Sequence, residues 1–382
     1  MIYLDNAATS FPKPQQVIRA VNDAMVRYGA NPGRSGHNLS VNTAAEIYSA
    51  RETLDEFFNG YGAENVCFFQ NCTYALNAAI KGLVRNGDHI VISSLEHNSV
   101  VRPVHYLKLN NYADYSVFSV GKTVGETVEN FKKTFKNNTR ICVVTAVSNV
   151  FGNILPIKEL AAEAHRLGAL LIVDGAQGAG VINIDMKDMG IDCLCIPGHK
   201  GLLGPMGTGV LLHRGLDILP VTHGGTGTSS FELTMPDDYP ERLEGGTLNV
   251  PGICGLKAGV ETVKRLAVSN IYKKEKRLSN ILFDGLSNIQ NTELYSVNYN
   301  SDNYAPVVSF NVKNHHSEAV AGMLNDGGFA VRGGYHCAPL AHIFMGTKDR
   351  GTVRVSPSFH TSEKDIKNLL NLVRKIAFYR NI

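Results

Sequence analysis

Two apolar runs deliver the residues best suited to chemistry. The first, ALLIVDGAQGAG, ends on an acid, Asp174. The second, DCLCIPGHKGLLGPMGTG, carries His199 and Lys200 into a glycine-rich turn. Both runs read as buried strands, and open α/β sheets place ligands outside the carboxyl ends of their strands. An acid and a lysine at two such ends suit pyridoxal 5'-phosphate (PLP). That cofactor takes a lysine for its Schiff base and an acid against its pyridinium nitrogen. The small residues after Asp174 let a flat ring approach the backbone. An amine held there also moves a substrate's α-proton. The plainer alternatives are a helix-capping acid and a surface lysine. The apolar run before Lys200 and the glycines around it favour the functional reading.

These residues need a sheet to position them. Apolar runs alternate with helical patterns from residue 65 to 213. Expected strands are Asn65–Phe69, His89–Ser93, Tyr115–Val120, Ile141–Val147, Ala169–Asp174, Cys193–Ile196 and Gly209–His213. Expected helices between them are Thr73–Leu83, Ser99–Leu109, Thr127–Phe135, Ile157–Leu167 and a short Asp185–Met189. Alternation of this kind predicts βαβ units and one large, mostly parallel seven-stranded sheet. Ahead of it stand an extended polar stretch (residues 3–14), a helix over Lys13–Tyr28, and a helix capped by Ser40 or Asn42 that runs to Asn59. Residues 214–252 are rich in Gly, Thr, Ser and Pro and predict functional loops. A long helix, Gly255 to Asp284, then leads into a smaller α+β unit. That unit contains VVSFNV, SEAVAGMLND, FAVRGG, the loop YHCAPLAHIF, TVRVSP and a final helix from Ser362 to Tyr379. The expected division is a large PLP-binding domain, 15–254, and a small domain formed by 1–14 with 255–382.

Composition narrows the function. At 382 residues the chain is long for a single core. A net charge of +3 on scattered Lys and Arg offers no patch for nucleic acid. No apolar run reaches a membrane-spanning length, and MIYLDNAATS lacks the basic and apolar regions of a signal peptide. The seven cysteines are odd in number and several lie in apolar runs, which predicts reduced thiols in a cytoplasmic protein. No CxxC or HExxH spacing supports a zinc site, so no metal is expected. The glycines of GPMGTG precede a strand and do not open a helix, so they are not a dinucleotide fingerprint.

The order of several short motifs carries a resemblance. LDNAATS, EHNS (96–99), SNVFGN (148–153), VDGAQ (173–177), GHK (198–200), EGGTLN (244–249) and RGGYHCAPLAH (332–342) follow one another across essentially the whole chain. Their sequence resembles the class V PLP-dependent enzymes, in particular SufS-like cysteine desulfurases and the related selenocysteine lyases. The resemblance implies PLP fold type I and a homodimer. It places His97 on the cofactor ring, Gln177 at the ring hydroxyl and Asn149 beside them. It puts Thr247 across a subunit boundary, in the partner's phosphate site. Arg354 matches the family's substrate arginine, and Arg332 is a second candidate for the substrate carboxylate. His37 resembles a substrate-side histidine. Cys337 matches the sulfur-accepting cysteine. It stands near Arg332, His336 and His342 in sequence, an electropositive setting, and on what reads as a mobile loop.

The phosphate needs a helix N-terminus. Backbone N–H groups near Cys72 and Thr73, with the Thr73 hydroxyl, supply one, and His199 is a further candidate. An ordinary N-cap uses the same atoms. Three departures from the family pattern stand out. Pro197 replaces a serine commonly found two residues before the GHK histidine, Cys72 stands where the family often has a small hydroxylated or glycine-like residue, and Tyr74 stands where an acid is usual.

The expected reaction converts L-cysteine to L-alanine. It leaves a persulfide on Cys337 that passes to a sulfur-acceptor protein, as in iron–sulfur cluster assembly. The alternatives are selenocysteine lysis, other class V chemistry such as aminotransfer with Cys337 idle, and a non-catalytic PLP-binding partner protein.

Overall fold

A computed structural model describes residues 1–32, 36–296 and 303–378. The first part of the chain runs β1 (Ile2–Tyr3), α1 (Gln15–Arg27), α2 (Asn38–Phe58), β2 (Val66–Phe69), α3 (Cys72–Leu83) and β3 (Asp88–Ser93). It continues through α4 (Asn98–Leu109), β4 (Ala113–Phe118), α5 (Val124–Lys132), β5 (Thr139–Thr145) and α6 (Ile157–Arg166). Then follow β6 (Leu170–Asp174), α7 (Met186–Met189), β7 (Cys193–Pro197) and β8 (Gly209–His213). All seven expected strands form one sheet in the order β2-β8-β7-β6-β5-β3-β4. The pairs from β7 to β4 are parallel, whereas β8 runs antiparallel to both its neighbours. Both faces of the sheet are covered, which is why its strands are apolar runs without alternation.

The parallel arrangement brings the ends of β6 and β7 side by side, with Asp174 opposite Cys195. The turns that follow touch backbone to backbone. Gly180 has φ 78°, and a Cβ there would lie 2.3 Å from the Gly201 carbonyl oxygen. Glycine is therefore required where the Asp174 turn meets the Lys200 turn.

Residues 214–249 contain no helix or strand. A buried ion pair anchors this stretch: both Arg51 terminal nitrogens donate to the Glu244 carboxylate at 2.7 Å, and Phe68 N–H donates to it as well.

Next come α8 (Val250–Leu266), α9 (Val268–Ser287), β9 (Thr292–Tyr295), β10 (Val308–Val312) and α10 (Ser317–Asp326). The last elements are β11 (Phe329–Ala330), β12 (Arg332–Gly334), α11 (Pro339–Phe344), β13 (Thr352–Val355) and α12 (Glu363–Phe378). A second sheet, β12-β13-β10-β9, is antiparallel throughout. β1 pairs with β11, so the N-terminal segment joins the C-terminal part of the chain.

Several boundaries differ from expectation. The helix expected over Gly255–Asp284 is two, broken at Ala267, and the division expected at 254/255 falls inside α8. FAVRGG splits between two sheets, and the YHCAPLAHIF loop contains α11. The cap of α2 is His37, not Ser40 or Asn42. Tyr379, the expected end of the last helix, lies outside the described residues, as do residues 33–35 of the GRSGHNLS loop.

Ala267 has φ 63° and ψ 127°, a conformation that a side chain disfavours. Strain there is on the order of 1–3 kcal/mol, against roughly 0.5–1 kcal/mol for glycine's extra freedom when unfolded. Ala267→Gly is expected to raise stability by about 1 kcal/mol, read as a higher denaturant midpoint at unchanged slope.

Candidate active site

Lys200 lies in the turn after β7 and interacts electrostatically with Asp174, Arg354 and Arg332. Burial lowers the proton affinity of its ammonium, Asp174 opposes that shift, and the two arginines add to it. Asp174 is 2% exposed at the end of β6, and burial raises its pKa. One carboxylate oxygen accepts from Ala176 N–H at 2.9 Å and lies 3.8 Å from Cys72 Sγ. Cys72 opens α3, so it reaches the acid from the helix that also offers free N–H groups.

The cap of α3 is Asn71, whose side chain accepts from Tyr74 N–H. The N–H groups of Cys72 and Thr73 remain available for an anion. Gly209 makes room for this turn, since a Cβ there would sit 2.2 Å from the Asn71 carbonyl carbon. Thr73 Oγ1 meets Ser99 Oγ at 2.9 Å, and Ser99 Oγ meets His97 Nδ1 at 2.7 Å. His97 caps α4 through the same nitrogen. Burial, then the Lys200 charge, holds its pKa at about 4, so the ring is neutral at physiological pH.

Asn149, buried after β5, donates from Nδ2 to the His336 carbonyl at 2.7 Å. Its own carbonyl accepts from Arg354 Nη1 at 2.9 Å. Arg354 Nη2 also pairs with Asp5 at 2.7 Å, while its buried Nε has no partner. Arg332 stands directly opposite Arg354 in the β12–β13 pairing. Two guanidinium groups across one strand pair repel each other and favour an anion between them. Gln177 Nε2 donates to the Ala7 carbonyl at 2.8 Å. The His199 carbonyl accepts from Ser10 N–H, from the Thr9 and Ser10 hydroxyls and from Lys13 Nζ, the last at 2.7 Å. His199 Nδ1 is buried without a partner.

Six cysteines are buried and Cys337 is exposed. Two expectations about Cys337 change. Its surroundings are not made electropositive by histidines, because burial pushes His336 to about 2 and His342 to about 4, leaving both neutral. Nor is its loop free: Asn98 N–H donates to the Cys337 carbonyl at 2.8 Å, and His336 Nε2 meets the Thr352 carbonyl at 3.0 Å.

The structure thus brings together Lys200, Asp174, Cys72, Thr73, His97, Asn149, Arg354, Arg332 and the Cys337 turn. Gln177 and His199 adjoin them through the N-terminal segment. Two expected residues stand apart in the single chain. His37 is exposed, and its Nδ1 accepts from Ser40 N–H. Thr247 is exposed on a groove shared with Gln70, Tyr74 and Asn249. Sequence reasoning missed Asp5, Ser99 and Glu96, although all three lie inside quoted motifs. Glu96 is fully buried, with one carboxyl oxygen accepting from Ser93 and Thr145 and the other unpartnered.

The class-V aminotransferase family model matches residues 2–369. The chain belongs to the class V aminotransferase family. It is 32% identical to a probable cysteine desulfurase of Methanothermobacter thermautotrophicus over 98% of this chain and 94% of the relative. It is 33% identical to a probable cysteine desulfurase of Halalkalibacterium halodurans over 99% and 94%. A solved apo cysteine desulfurase from Thermococcus onnurineus superposes with a TM-score of 0.90 at 30% identity, covering 98% of this chain and 94% of that one. A cysteine desulfurase from Escherichia coli, at 24% identity and TM-score 0.85, shares the fold. The α/β architecture is that of PLP fold type I, and enzymes of this family use PLP. The residues fit the group: a desolvated lysine amine, a buried carboxylate, a helix N-terminus with free N–H groups, and the unpartnered His199 Nδ1.

The buried titratable groups set the response to pH. Burial holds His89, His97, His199, His213 and His342 at about 4 and His336 at about 2. Unfolding returns each to its ordinary value of 6.5, so acid favours the unfolded chain from about pH 6.5 downward. Glu96 and Glu275 work oppositely. Burial lifts both to about 8, so stability falls as pH rises between their ordinary 4.5 and 8, and Asp174 and Glu244 lean the same way. The imidazoles outnumber the carboxyls in acid; above neutrality the carboxyls lower stability as pH rises, offset in part by the buried ammoniums of Lys13 and Lys200, whose lowered proton affinity works the other way. Tm is expected to peak near pH 7, fall steeply toward pH 5 and fall gently toward pH 8, in a scanning-fluorimetry series at constant ionic strength.

Proposed function

We propose that the chain is a PLP-dependent cysteine desulfurase that moves sulfur from L-cysteine to Cys337 and releases L-alanine. One observation carries the reading. The exposed thiol sits on a turn hydrogen-bonded to Asn98, beside His97, and to Asn149, which Arg354 holds. These contacts support a reading in which the exposed thiol serves the pocket of Lys200, Arg354 and Arg332. The names of the relatives support the same chemistry.

Bound here, the cofactor supplies an electron sink for the bond broken at the substrate's α-carbon. Lys200 holds it and moves the α-proton; desolvation favours the neutral amine this needs. Asp174 would face the ring nitrogen, His97 would lie on the ring, and Gln177 would sit at the ring hydroxyl. The α3 N-terminus, with Cys72 N–H, Thr73 and His199, would hold the phosphate. Arg354 and Asn149 take the substrate carboxylate, with Arg332 as a second cation. Cys337 Sγ attacks the substrate sulfur. The S–S bond forms, the Cβ–S bond breaks, its electron pair stays on Cβ, and a proton there completes alanine. The persulfide then passes to a sulfur acceptor, for uses such as iron–sulfur cluster assembly.

The same reading makes the protein a cytoplasmic homodimer, with Thr247 serving the partner's phosphate site and His37 serving the substrate side. Both are exposed in one chain, as such roles require. Among the described residues no helix is long and apolar enough to cross a membrane. The reading also divides the chain into a large PLP-binding unit and a small unit that includes the N-terminal segment. In support, β1 pairs with β11, and α8 packs on α1 and α2.

The test is product analysis of the holoenzyme with L-cysteine and, in parallel, L-selenocysteine. Alanine and Cys337-bound sulfane sulfur are expected in equal amounts from L-cysteine. Amino transfer to a 2-oxo acid, or alanine without sulfur on the protein, would overturn the proposal.

A further inference from the structure

Cys337 occupies an uncommon backbone. His336 has φ 49° and Cys337 φ 58°, two successive left-handed residues that both carry a Cβ. The residues from Tyr335 to Ala338 belong to no strand or helix, and the thiol is exposed, so burial of Cys337 does not fix the turn. Hydrogen bonds hold it instead. Within the turn, Ala338 N–H donates to the Tyr335 carbonyl at 3.0 Å. From outside, the His336 carbonyl takes Asn149 Nδ2, the Cys337 carbonyl takes Asn98 N–H, and the buried His336 ring meets the Thr352 carbonyl at 3.0 Å. Asn149 is the one side chain of the two donors to the turn's carbonyls, and it is 8% exposed. Its backbone is held in turn by Arg354, which is paired with Asp5. A continuous chain of contacts therefore runs from Asp5 through Arg354 and Asn149 to the residue before the thiol.

We propose that Asn149 is the positioning residue for Cys337: its carboxamide latches the His336 carbonyl, imposes the left-handed turn and sets the place of the sulfur. The consequence for sulfur transfer rests on the reading of Cys337 as the reacting thiol; the latch itself does not. One side chain then serves the substrate pocket and the acceptor thiol together, so the two register with each other. A contact to substrate alone would not need Nδ2 turned toward His336. The Arg354 link adds a direction: an anion that draws on this guanidinium also bears on the latch.

The experiment is hydrogen–deuterium exchange by mass spectrometry on the holoenzyme, following the peptide 333–341, with single-turnover persulfide formation alongside. Wild-type protein is expected to protect the Ala338 amide. Asn149→Ala is expected to speed exchange in that peptide at least tenfold while α3 peptides stay unchanged. Asn149→Asp keeps the shape but sets a carboxylate against the His336 carbonyl, and the same increase is expected at neutral pH. Persulfide formation should slow tenfold or more at saturating L-cysteine, whereas loss of a substrate contact alone would raise KM and leave exchange untouched. Unchanged exchange in the variants overturns the latch, as does an increase spread over α3. Free-peptide exchange of the wild-type turn overturns it without any variant. If Cys337→Ala keeps full sulfur release, the desulfurase reading falls while a local exchange increase still upholds the latch.

Discussion

Lys200→Ala is expected to lower turnover of L-cysteine by at least ~10³-fold, because a positioned proton carrier alone contributes roughly 10²–10⁴, and it also loses the covalent anchor of the cofactor. Three features make this the largest single effect. Lys200 sits where the Asp174 turn and its own turn touch through glycine backbone, which fixes its place beside the acid. Its ammonium is destabilised by burial and by two arginines, which favours the neutral, nucleophilic form. The Lys13 ammonium is committed to the His199 carbonyl and Ser10. Borohydride treatment of wild-type holoenzyme should fix PLP to the peptide containing Lys200, and the variant should show no fixation anywhere. Turnover within tenfold of wild type, or fixation at another lysine, would remove Lys200 from its role.

Cys337→Ala is the second large loss: sulfur release from L-cysteine is expected to fall at least ~10²-fold, the scale of a lost covalent nucleophile. Cofactor content and absorbance should stay as in wild type, since the Sγ atom takes no part in the packing around Lys200 or Asp174. The remaining cysteines are buried, and burial pushes the thiols of Cys67, Cys72, Cys142, Cys193, Cys195 and Cys254 up, so none substitutes as a thiolate. Cys337→Ser is expected to behave as alanine does. The measurement is sulfide or acceptor-bound sulfur per minute, with alanine counted in the same sample. Sulfur release at the wild-type rate would leave the thiol without a function.

The sheet was legible because both of its faces are covered. Strands such as LLIVD and GVLLH are unbroken apolar runs, and their spacing by helical segments allowed one architecture. Asp174 and Lys200 were legible for the same reason, since each ends such a run. What escaped notice had no local signal. The break at Ala267 is made by an alanine, with neither glycine nor proline to announce it. His37 caps a helix through an imidazole lone pair, where Ser40 and Asn42 offered the commoner cap chemistry. The Asp5–Arg354 pair joins opposite ends of the chain, and nothing in LDNAATS or TVRVSP alone points to the other. The histidines near Cys337 were read as cations by proximity in sequence. Their charge is decided by burial, which only the fold shows.

The N-terminal segment closes on residues from distant parts of the chain. Ser10, Thr9 and Lys13 grip the carbonyl just before Lys200, while Asp5 grips Arg354 and β1 lies along β11. During vectorial synthesis Ile2, Tyr3 and Asp5 leave the ribosome long before their partners Phe329, Ala330 and Arg354. The substrate side of the pocket therefore closes across 349 positions of sequence, and it is complete only once Arg354 has been made and has met Asp5.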